Sequence, residues 1–345
     1  MKKVIGMDLG DKKNVIVVFD EEGNEVETAR ITNTSAQVQR FFAKHPGAVV
    51  VIEAGTHSPW ISRLLTGMGH EVCVGNPRKL RAIWDADDKN DERDARILAM
   101  MYRLEPRLLH AIQHRGEQAQ ADLEMIKARD TLVRTRTSLV NHARGTVKAM
   151  GHRLPACSVN AFASRAPAEI PTSLKDALAP IVETVAELNR RIKEIDKQIH
   201  YLCQDRYPET KYLLQVGGVG PITALAFVLT IETPDRFKKS RTVGAYLGLT
   251  PRRDQSGETD KQMHITKAGN RYLRCLLVGC AHYILGAFGP DCDLRRYGER
   301  IAAGGGKRAK KCAAVAVARK LAVKLHRLWA NAAEYAPLMS ERKAA

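Results

Sequence analysis

The sequence predicts a mixed α/β domain followed by a mostly helical region, and two observations carry this prediction. Residues 4–76 alternate short apolar strands with helices, beginning with VIGMDLG, NVIVVFD and EVETARI, which tight polar turns join into an antiparallel meander. Residues 174–202 instead repeat apolar side chains at a period near 3.5, which is typical of packed helices.

The elements after the meander indicate which fold within the α/β class is expected. A helix is predicted over residues 34–44 from the cap Thr34, and the run AVVVIEAG at 48–55 is typical of a strand buried on both faces. A helix around 58–68 and the strand HEVCVGN complete the order βββαβαβ. With a later helix, this is the element order of a ribonuclease H type domain.

The stretch MDLGDKKNVIVVFDEEGN allows a second interpretation, because it is similar to the first phosphate loop of sugar kinases and actin-like ATPases. Those enzymes repeat the fold in a second domain with another D-x-G loop. The sequence has no such repeat after residue 150. We therefore favour the single ribonuclease H type domain.

A long helix is predicted over residues 117–150, and a proline-containing linker or ordered loop over 151–172. Apolar side chains then follow a 4-3 spacing over four heptads, at Leu174, Leu178, Ile181, Val185, Leu188, Ile192, Ile195, Ile199 and Leu202. This spacing predicts a two-helix coiled coil, either with residues 117–150 or with a second subunit. An ordinary amphipathic helix packed on its own domain is the alternative.

Residues 213–231 have the glycine-rich turn pattern of a helix-hairpin-helix. Gly218 and Gly220 permit a tight turn whose backbone N–H groups can face a nucleic-acid phosphate. The alternative is a helix–turn–helix that only packs.

Four domains are predicted along the chain. They are a carboxylate-bearing domain at residues 1–155, a linker with coiled coil at 156–206, a basic helical domain at 207–335 and a tail at 336–345.

Charge is distributed unevenly along the chain. The net charge is +17, yet residues 1–110 carry 16 basic and 16 acidic side chains, whereas residues 236–345 carry 23 basic against 8 acidic ones. A neutral domain followed by a strongly basic one predicts a polyanion partner, and a merely soluble basic protein is the alternative. The basic region is not one amphipathic helix with an aromatic face, so an anionic membrane surface is disfavoured.

Location follows from what the sequence lacks. We find no apolar run near the roughly 20 residues that a membrane span needs, and no signal peptide. Seven cysteines without a C-x-x-C pair argue against a disulfide framework or a zinc site. These features predict a protein of the reducing cytosol.

Four carboxylates stand out by position. Asp8 lies inside an apolar strand and Glu53 ends the buried strand, while Asp91 and Asp94 share one face at the start of a predicted helix. An isolated carboxylate in an apolar strand is costly unless it is paired or metal-bound. Together the four predict an oxygen-ligand site for Mg²⁺. Taken singly, Asp8 could support a turn, Asp91 a helix cap, and Asp94 a helix-dipole contact.

Ser256 precedes Gly257 in a polar segment that the sequence predicts as loop. Several cations surround it: Arg252, Arg253, Lys261, Lys267, Arg271 and Arg274. The segment lacks the G-x-S-x-G pattern of a hydrolase elbow. From spacing alone, a serine–glycine pair in a basic loop indicates a turn.

In combination, these motifs resemble one family. Asp8 in MDLG, Glu53 in VIEAG and the K-x-D-x-x-D run at residues 89–94 match the DEDD set of the RuvC-like transposases of the insertion-sequence 110 family, with its 1111 subgroup. VGGVGPITA, RTVGAYLGLTPRRDQSG and ITKAGNRYLRCLLVGCA resemble the second domain of that family. The resemblance covers residues 1 to about 335 in the right order.

The resemblance implies a DNA recombinase that excises and inserts a mobile element, guided by a structured noncoding RNA, the bridge RNA, which pairs with donor and target DNA. It implies tetramers built from dimers, whose composite sites join the carboxylate domain of one subunit to the serine domain of another. By this resemblance Ser256 forms a phosphoserine with DNA, and Mg²⁺, with Mn²⁺ as substitute, sits on the four carboxylates. The nearby cations would neutralise phosphate charge: Arg252, Arg253, Lys267, Arg271 and Arg274.

Two other functions remain open from the residues. In a metal-dependent, Holliday-junction-type nuclease the carboxylates would cleave DNA and Ser256 would be only a turn. In a non-catalytic nucleic-acid-binding scaffold the carboxylates would be structural.

Overall fold

A computed structural model describes residues 2–80, 90–256 and 259–339. The chain divides into two units, Met1–Gly116 and Glu117–Ala345. The long helix that the sequence analysis placed at the end of the first domain belongs to the second unit. The functional domain boundaries stay a prediction.

The first unit is an α/β layer structure around one five-stranded sheet. Its strands are β1 (Val4–Leu9), β2 (Lys13–Phe19), β3 (Glu25–Thr32), β4 (Val49–Glu53) and β5 (Glu71–Gly75), and its helices are α1 (Ser35–Phe42), α2 (Ser58–Gly67), α3 (Pro77–Leu80) and α4 (Asp91–Leu104). The sheet order is β3-β2-β1-β4-β5. β1 to β3 form the predicted antiparallel meander, and β4 and β5 continue the sheet in parallel. The predicted order βββαβαβ is confirmed.

Both faces of this sheet are covered. Helices α1 and α2 pack on one face, where Phe42 and Ile61 are buried, and α4 packs on the other, where Leu98 is buried. The valines of β4 are therefore buried on either side, as the continuous apolar run predicted. Thr34 caps α1 by accepting a hydrogen bond from the backbone N–H of Gln37, also as predicted.

Gly6 lets α4 lie directly on β1. A Cβ atom at this position would stand 1.8 Å from the carbonyl oxygen of Ala95. A glycine inside a strand often marks such a close approach of another backbone. The contact matters because α4 carries two of the candidate carboxylates in its first turn.

The second unit is mostly helical. Its elements are α5 (Glu117–Ala149), α6 (Phe162–Arg165), α7 (Lys175–Tyr201), α8 (Thr210–Leu214), α9 (Pro221–Ile231), α10 (Arg241–Tyr246), β6 (Pro251–Ser256), β7 (Thr259–Ile265), α11 (Arg271–Leu285), α12 (Asp293–Ala302) and α13 (Gly306–Ala330). Helix α9 is buried along nearly its whole length, and α13 contributes Leu321 and Leu325 to the same core.

Helices α5 and α7 pack against each other in antiparallel orientation. Arg129 pairs with Asp196 and Arg136 with Asn189, so contacts run in opposite directions along the two helices. Alternate apolar positions of the heptads are buried, at Leu178, Val185, Ile192 and Ile199. The intervening Ile181, Leu188 and Ile195 are only partly buried. The heptad pattern thus has a partner within the chain.

The prediction of a loop around Ser256 was wrong. Strands β6 and β7 form an antiparallel hairpin, in which Arg253 lies opposite Gln262 and Asp254 opposite Lys261. Most described side chains of the hairpin are exposed, so the strands carry no apolar alternation from which the sequence could reveal them.

Candidate active site

Asp8 and Glu53 lie at the same edge of the sheet. β1 and β4 are adjacent and parallel, with Met7 opposite Ile52, and the two carboxylates follow these residues directly. The carboxyl ends of parallel strands in open α/β sheets are where ligands bind. Both side chains are half-buried, so the strand positions themselves bring the two carboxylates together.

The first turn of α4 supplies Asp91 and Asp94. Asn90 caps this helix, because its side chain accepts a hydrogen bond of 3.0 Å from the backbone N–H of Glu92. The alternative that Asp91 is the cap is therefore wrong. Asp91 and Asp94 stand three residues apart on one helix face.

Two ion pairs hold α4 against the meander. Arg96 forms a bidentate pair with Glu25 on β3, at 2.7 and 3.0 Å, and Arg30 on β3 pairs with Glu92 at 3.0 Å. The first pair joins residues that are 71 positions apart, and the second joins residues that are 62 positions apart. No local sequence signal therefore predicts either pair. Both pairs fix the helix that presents the acidic turn.

The protonation of Asp8 reports on its surroundings. The pKa of Asp8 is raised from 3.8 to about 6, and burial is the largest cause. The negative charges of three carboxylates contribute to the same rise, in the order Asp91, Asp94 and Glu53. All four predicted acidic residues are thus electrostatic neighbours.

The donor set fits a divalent cation. Four carboxylates supply the hard oxygen ligands that Mg²⁺ prefers, and a cation would offset their mutual repulsion. In the described part of the chain, no three His, Cys, Asp or Glu side chains already stand at metal-binding geometry. The carboxylates are therefore neighbours and not a closed ligand shell.

A buried serine fixes the loop after Glu53. The Ser58 hydroxyl lies 2.9 Å from the backbone N–H of Gly55, 2.8 Å from its carbonyl and 2.9 Å from His114 Nε2. Burial, with smaller contributions from Arg63 and Arg115, lowers the pKa of His114, which favours its neutral form. The sequence analysis missed this contact, because Ser58 and His114 are 56 residues apart.

Ser256 is the last residue of β6, opposite Thr259, and it is exposed. Arg252 and Arg253 extend from the same strand into solvent, and Arg253 pairs with Asp260 at 3.7 Å. The hairpin therefore presents a hydroxyl group and two guanidinium groups on one exposed element.

The base of the hairpin is tightly built. Gly248 and Gly269 both have positive φ, and a Cβ on either would lie about 2 Å from backbone atoms of the facing segment. Lys267 has φ +54 and donates its backbone N–H to the Gly248 carbonyl at 3.1 Å. The glycines that the family motifs contain are thus needed for this close packing.

Arg274 closes this junction instead of facing nucleic acid. It is 8% exposed, and its Nη1 donates to the carbonyls of Leu247 and Ala268, each at 2.8 Å. We therefore withdraw Arg274 from the predicted nucleic-acid contacts. Arg271, the first residue of α11, and Lys267 are exposed as expected.

The glycine-rich turn connects α8 to α9. Gly218 has φ +91, and a Cβ there would lie 2.7 Å from the Tyr283 ring on α11. Gly220 immediately precedes α9, and nothing lies within 4 Å of its Cβ position. Together with Cys275 and Tyr283, the turn lines an open groove of about 560 Å³.

Comparison with known proteins gives the class of this chain. A transposase family model for the DEDD domain of IS110 elements matches residues 5–151, which include all four carboxylates. The model described as the transposase IS116/IS110/IS902 family matches residues 210–295, which include Ser256. The chain is a transposase, an enzyme that cleaves DNA and transfers strands.

Relatives matched over most of their own length agree with the two family models. A Pseudomonas aeruginosa protein named "Probable family 20 transposase" is 28% identical, over 84% of this chain and 86% of its own length. The transposase for insertion sequence element IS1328 of Yersinia enterocolitica is 28% identical, over 81% and 82%. That for IS1111A of Coxiella burnetii is 27% identical, over 82% and 78%. The chain belongs to the IS110 family of insertion-sequence transposases.

None of the helices in the described residues combines the length and the apolar character that crossing a bilayer requires.

Proposed function

We propose that the first unit is a RuvC-like ribonuclease H domain and that Asp8, Glu53, Asp91 and Asp94 hold Mg²⁺, or Mn²⁺ in its place. The observation that carries this proposal is the environment of Asp8, which is half-buried and electrostatically coupled to the other three carboxylates. When bound, such ions polarise a phosphate and stabilise the attacking and leaving oxygens. The family implies a divalent cation in this domain.

We propose Ser256 as the nucleophile of strand transfer. Its Oγ gives up a proton and forms a bond to the phosphorus of a DNA phosphodiester, while the bond to the leaving sugar oxygen breaks and that oxygen takes up a proton. A hydroxyl of another strand reverses the step and releases Ser256. The phosphoserine keeps the phosphoester bond, so rejoining needs no ATP. Support comes from the exposure of Ser256 at the end of β6.

We propose that the cations near Ser256 stabilise the negative charge of the phosphate during this step. Arg252 and Arg253 on β6, with Lys267 and Arg271 beyond the hairpin, are exposed and can neutralise phosphate oxygens. Gly218 and Gly220 would bind a DNA phosphate through a helix-hairpin-helix turn at the start of α9. We further propose that α7 pairs with α5 in a coiled coil, and that residues 156–206 connect a carboxylate domain at 1–155 to a serine domain at 207–335.

We infer that the partners are donor DNA, target DNA and a structured noncoding guide RNA, bound by a tetramer built from dimers. The basic final third of the chain supports polyanion binding. The guide RNA and the tetramer rest on the family resemblance.

The decisive experiment uses end-labelled donor DNA, Mg²⁺ and the RNA transcribed from the flanks of the element. Products of wild type and Ser256→Ala are compared on a denaturing gel with and without protease. Ser173→Ala, at an exposed serine before α7, is the matched control. We expect a protease-sensitive DNA–protein adduct in wild type and Ser173→Ala, and none in Ser256→Ala.

Other results would favour the nuclease or the non-catalytic scaffold instead. Cleavage without an adduct, unchanged in Ser256→Ala, would identify a nuclease in which the carboxylates act alone. Binding without cleavage, at any divalent-ion concentration, would indicate a scaffold.

A further inference from the structure

A polar pocket of about 170 Å³ opens between α5 and α7, and its lining includes no residue of the acidic site or of the Ser256 hairpin. This volume far exceeds the roughly 10–15 Å³ that one water molecule needs. Its polar lining combines three cations, one carboxylate and two amides: Arg129, Arg136, Lys193, Asp196, Asn160 and Asn189.

Arg136 is a buried cation in the lining of this pocket. The residue is 9% exposed, and its Nη1 donates to the side-chain oxygen of Asn189 at 2.7 Å. The orientation of Asn189 is fixed, because its amide nitrogen donates to the Asn160 carbonyl at 3.0 Å. Within the described part of the chain, Arg136 Nε is buried without a hydrogen-bond partner. A buried donor without a partner costs folding free energy.

The charges in the pocket do not balance. Arg129 and Asp196 form an ion pair, and Asp196 is the sole carboxylate among the lining residues. Burial lowers the pKa of Arg136, and the positive charge of Arg129 lowers it further. Since a guanidinium is not deprotonated in proteins, the cost is best relieved by an added anion.

We propose that this pocket binds one phosphate group of a nucleic-acid backbone, with the Arg136 guanidinium and the Lys193 ammonium as donors. A guanidinium presents donors that match phosphate oxygens, and burial strengthens the interaction. Asn189 is a positioning residue, because it holds the guanidinium in place. The inference rests on the nucleic-acid binding expected of a transposase, but not on the phosphoserine step.

The test compares matched lysines on α7. Lys193 lines the pocket, whereas Lys197, one helical turn further on, does not, and both are exposed. The affinities of full-length wild type, Lys193→Met and Lys197→Met are measured across a salt series, with duplex DNA and with structured RNA of equal length. Loss of one phosphate contact lowers the slope of log Kobs against log salt by about 0.7–0.9.

We expect Lys193→Met to lose about one unit of slope on at least one nucleic acid, and Lys197→Met to retain the wild-type slope. A change with DNA alone or RNA alone identifies the source of the phosphate. Arg136→Met should behave like Lys193→Met, and if it fails to fold, Lys193→Met carries the test.

Equal slopes for wild type, Lys193→Met and Arg136→Met on both nucleic acids would overturn the proposal. Stabilisation by inorganic phosphate with unchanged slopes would overturn it too, because the pocket would then take only a free anion. Neither result bears on the adduct at Ser256, which is assayed separately, so the two proposals can fail independently.

Discussion

At the scale of single residues, Asp8 is the most informative side chain in the candidate active site. It follows four buried residues of its strand, and burial together with three neighbouring negative charges raises its pKa to about 6. When no divalent ion is bound, the ionised form of this carboxylate therefore destabilises the folded chain.

The substitution Asp8→Asn removes this titrating carboxylate and should change how stability depends on pH. Folding raises the pKa of Asp8 from 3.8 to about 6, so the folded chain holds an extra proton between these values. The free energy of unfolding therefore falls as pH rises from about 4 to about 6. In metal-free buffer Asp8→Asn should be more stable than wild type at neutral pH, with the advantage fading towards pH 4. Urea unfolding at several pH values measures this difference.

Asp11→Asn is the control, because Asp11 lies on the following turn with its side chain 90% exposed. Mg²⁺ should stabilise wild type and Asp11→Asn but not Asp8→Asn, which should also lose DNA cleavage. Parallel pH curves for wild type and Asp8→Asn would contradict the assignment of Asp8 to a buried acidic cluster.

At the scale of elements, the contact between α4 and β1 decides whether the acidic residues meet. Gly6→Ala should destabilise the protein by about 3 kcal/mol or more, at or above the upper end for overpacked cores, because the new methyl group meets the Ala95 carbonyl. Residual folded protein should cleave DNA poorly, since α4 carries Asp91 and Asp94. Urea denaturation and a divalent-dependent cleavage assay measure the two effects.

Gly67→Ala provides the matched substitution in the same unit, at the end of α2, where no atom lies within 4 Å of the new methyl group. Its stability should stay within about 0.5 kcal/mol of wild type. If Gly6→Ala behaved like Gly67→Ala, the close approach of α4 to β1 would not be required.

Elements with strong periodicity could be predicted from the sequence, and those held by distant polar contacts could not. The strands of the first unit and the heptads of α7 were visible because buried apolar residues repeat at fixed spacing. The β6–β7 hairpin was missed, since its described side chains are almost all polar and exposed. Arg274 was misassigned, because a cation in a basic segment gives no sign that two carbonyls, from residues 247 and 268, surround it.

The same distinction applies to the candidate site. Asp8 and Glu53 could be predicted because a carboxylate next to a buried strand is unusual. The pairs Arg96–Glu25 and Ser58–His114 could not, since each joins residues more than fifty positions apart. The contact between α4 and β1 could have been predicted from Gly6, because glycine inside a strand favours close approach of another backbone.

At the scale of the whole molecule, the uneven charge predicts where nucleic-acid affinity originates. Three exposed lysines near the start of α13, at 307, 310 and 311, belong to the basic final third. Replacing all three by Gln should lower the slope of log Kobs against log salt for duplex DNA by up to about 3. The matched triple Gln variant at Lys3, Lys44 and Lys79 removes equal charge from the electroneutral residues 1–110. It should leave the slope within error of wild type, whereas equal losses in both variants would show that net charge, and not its distribution, controls binding.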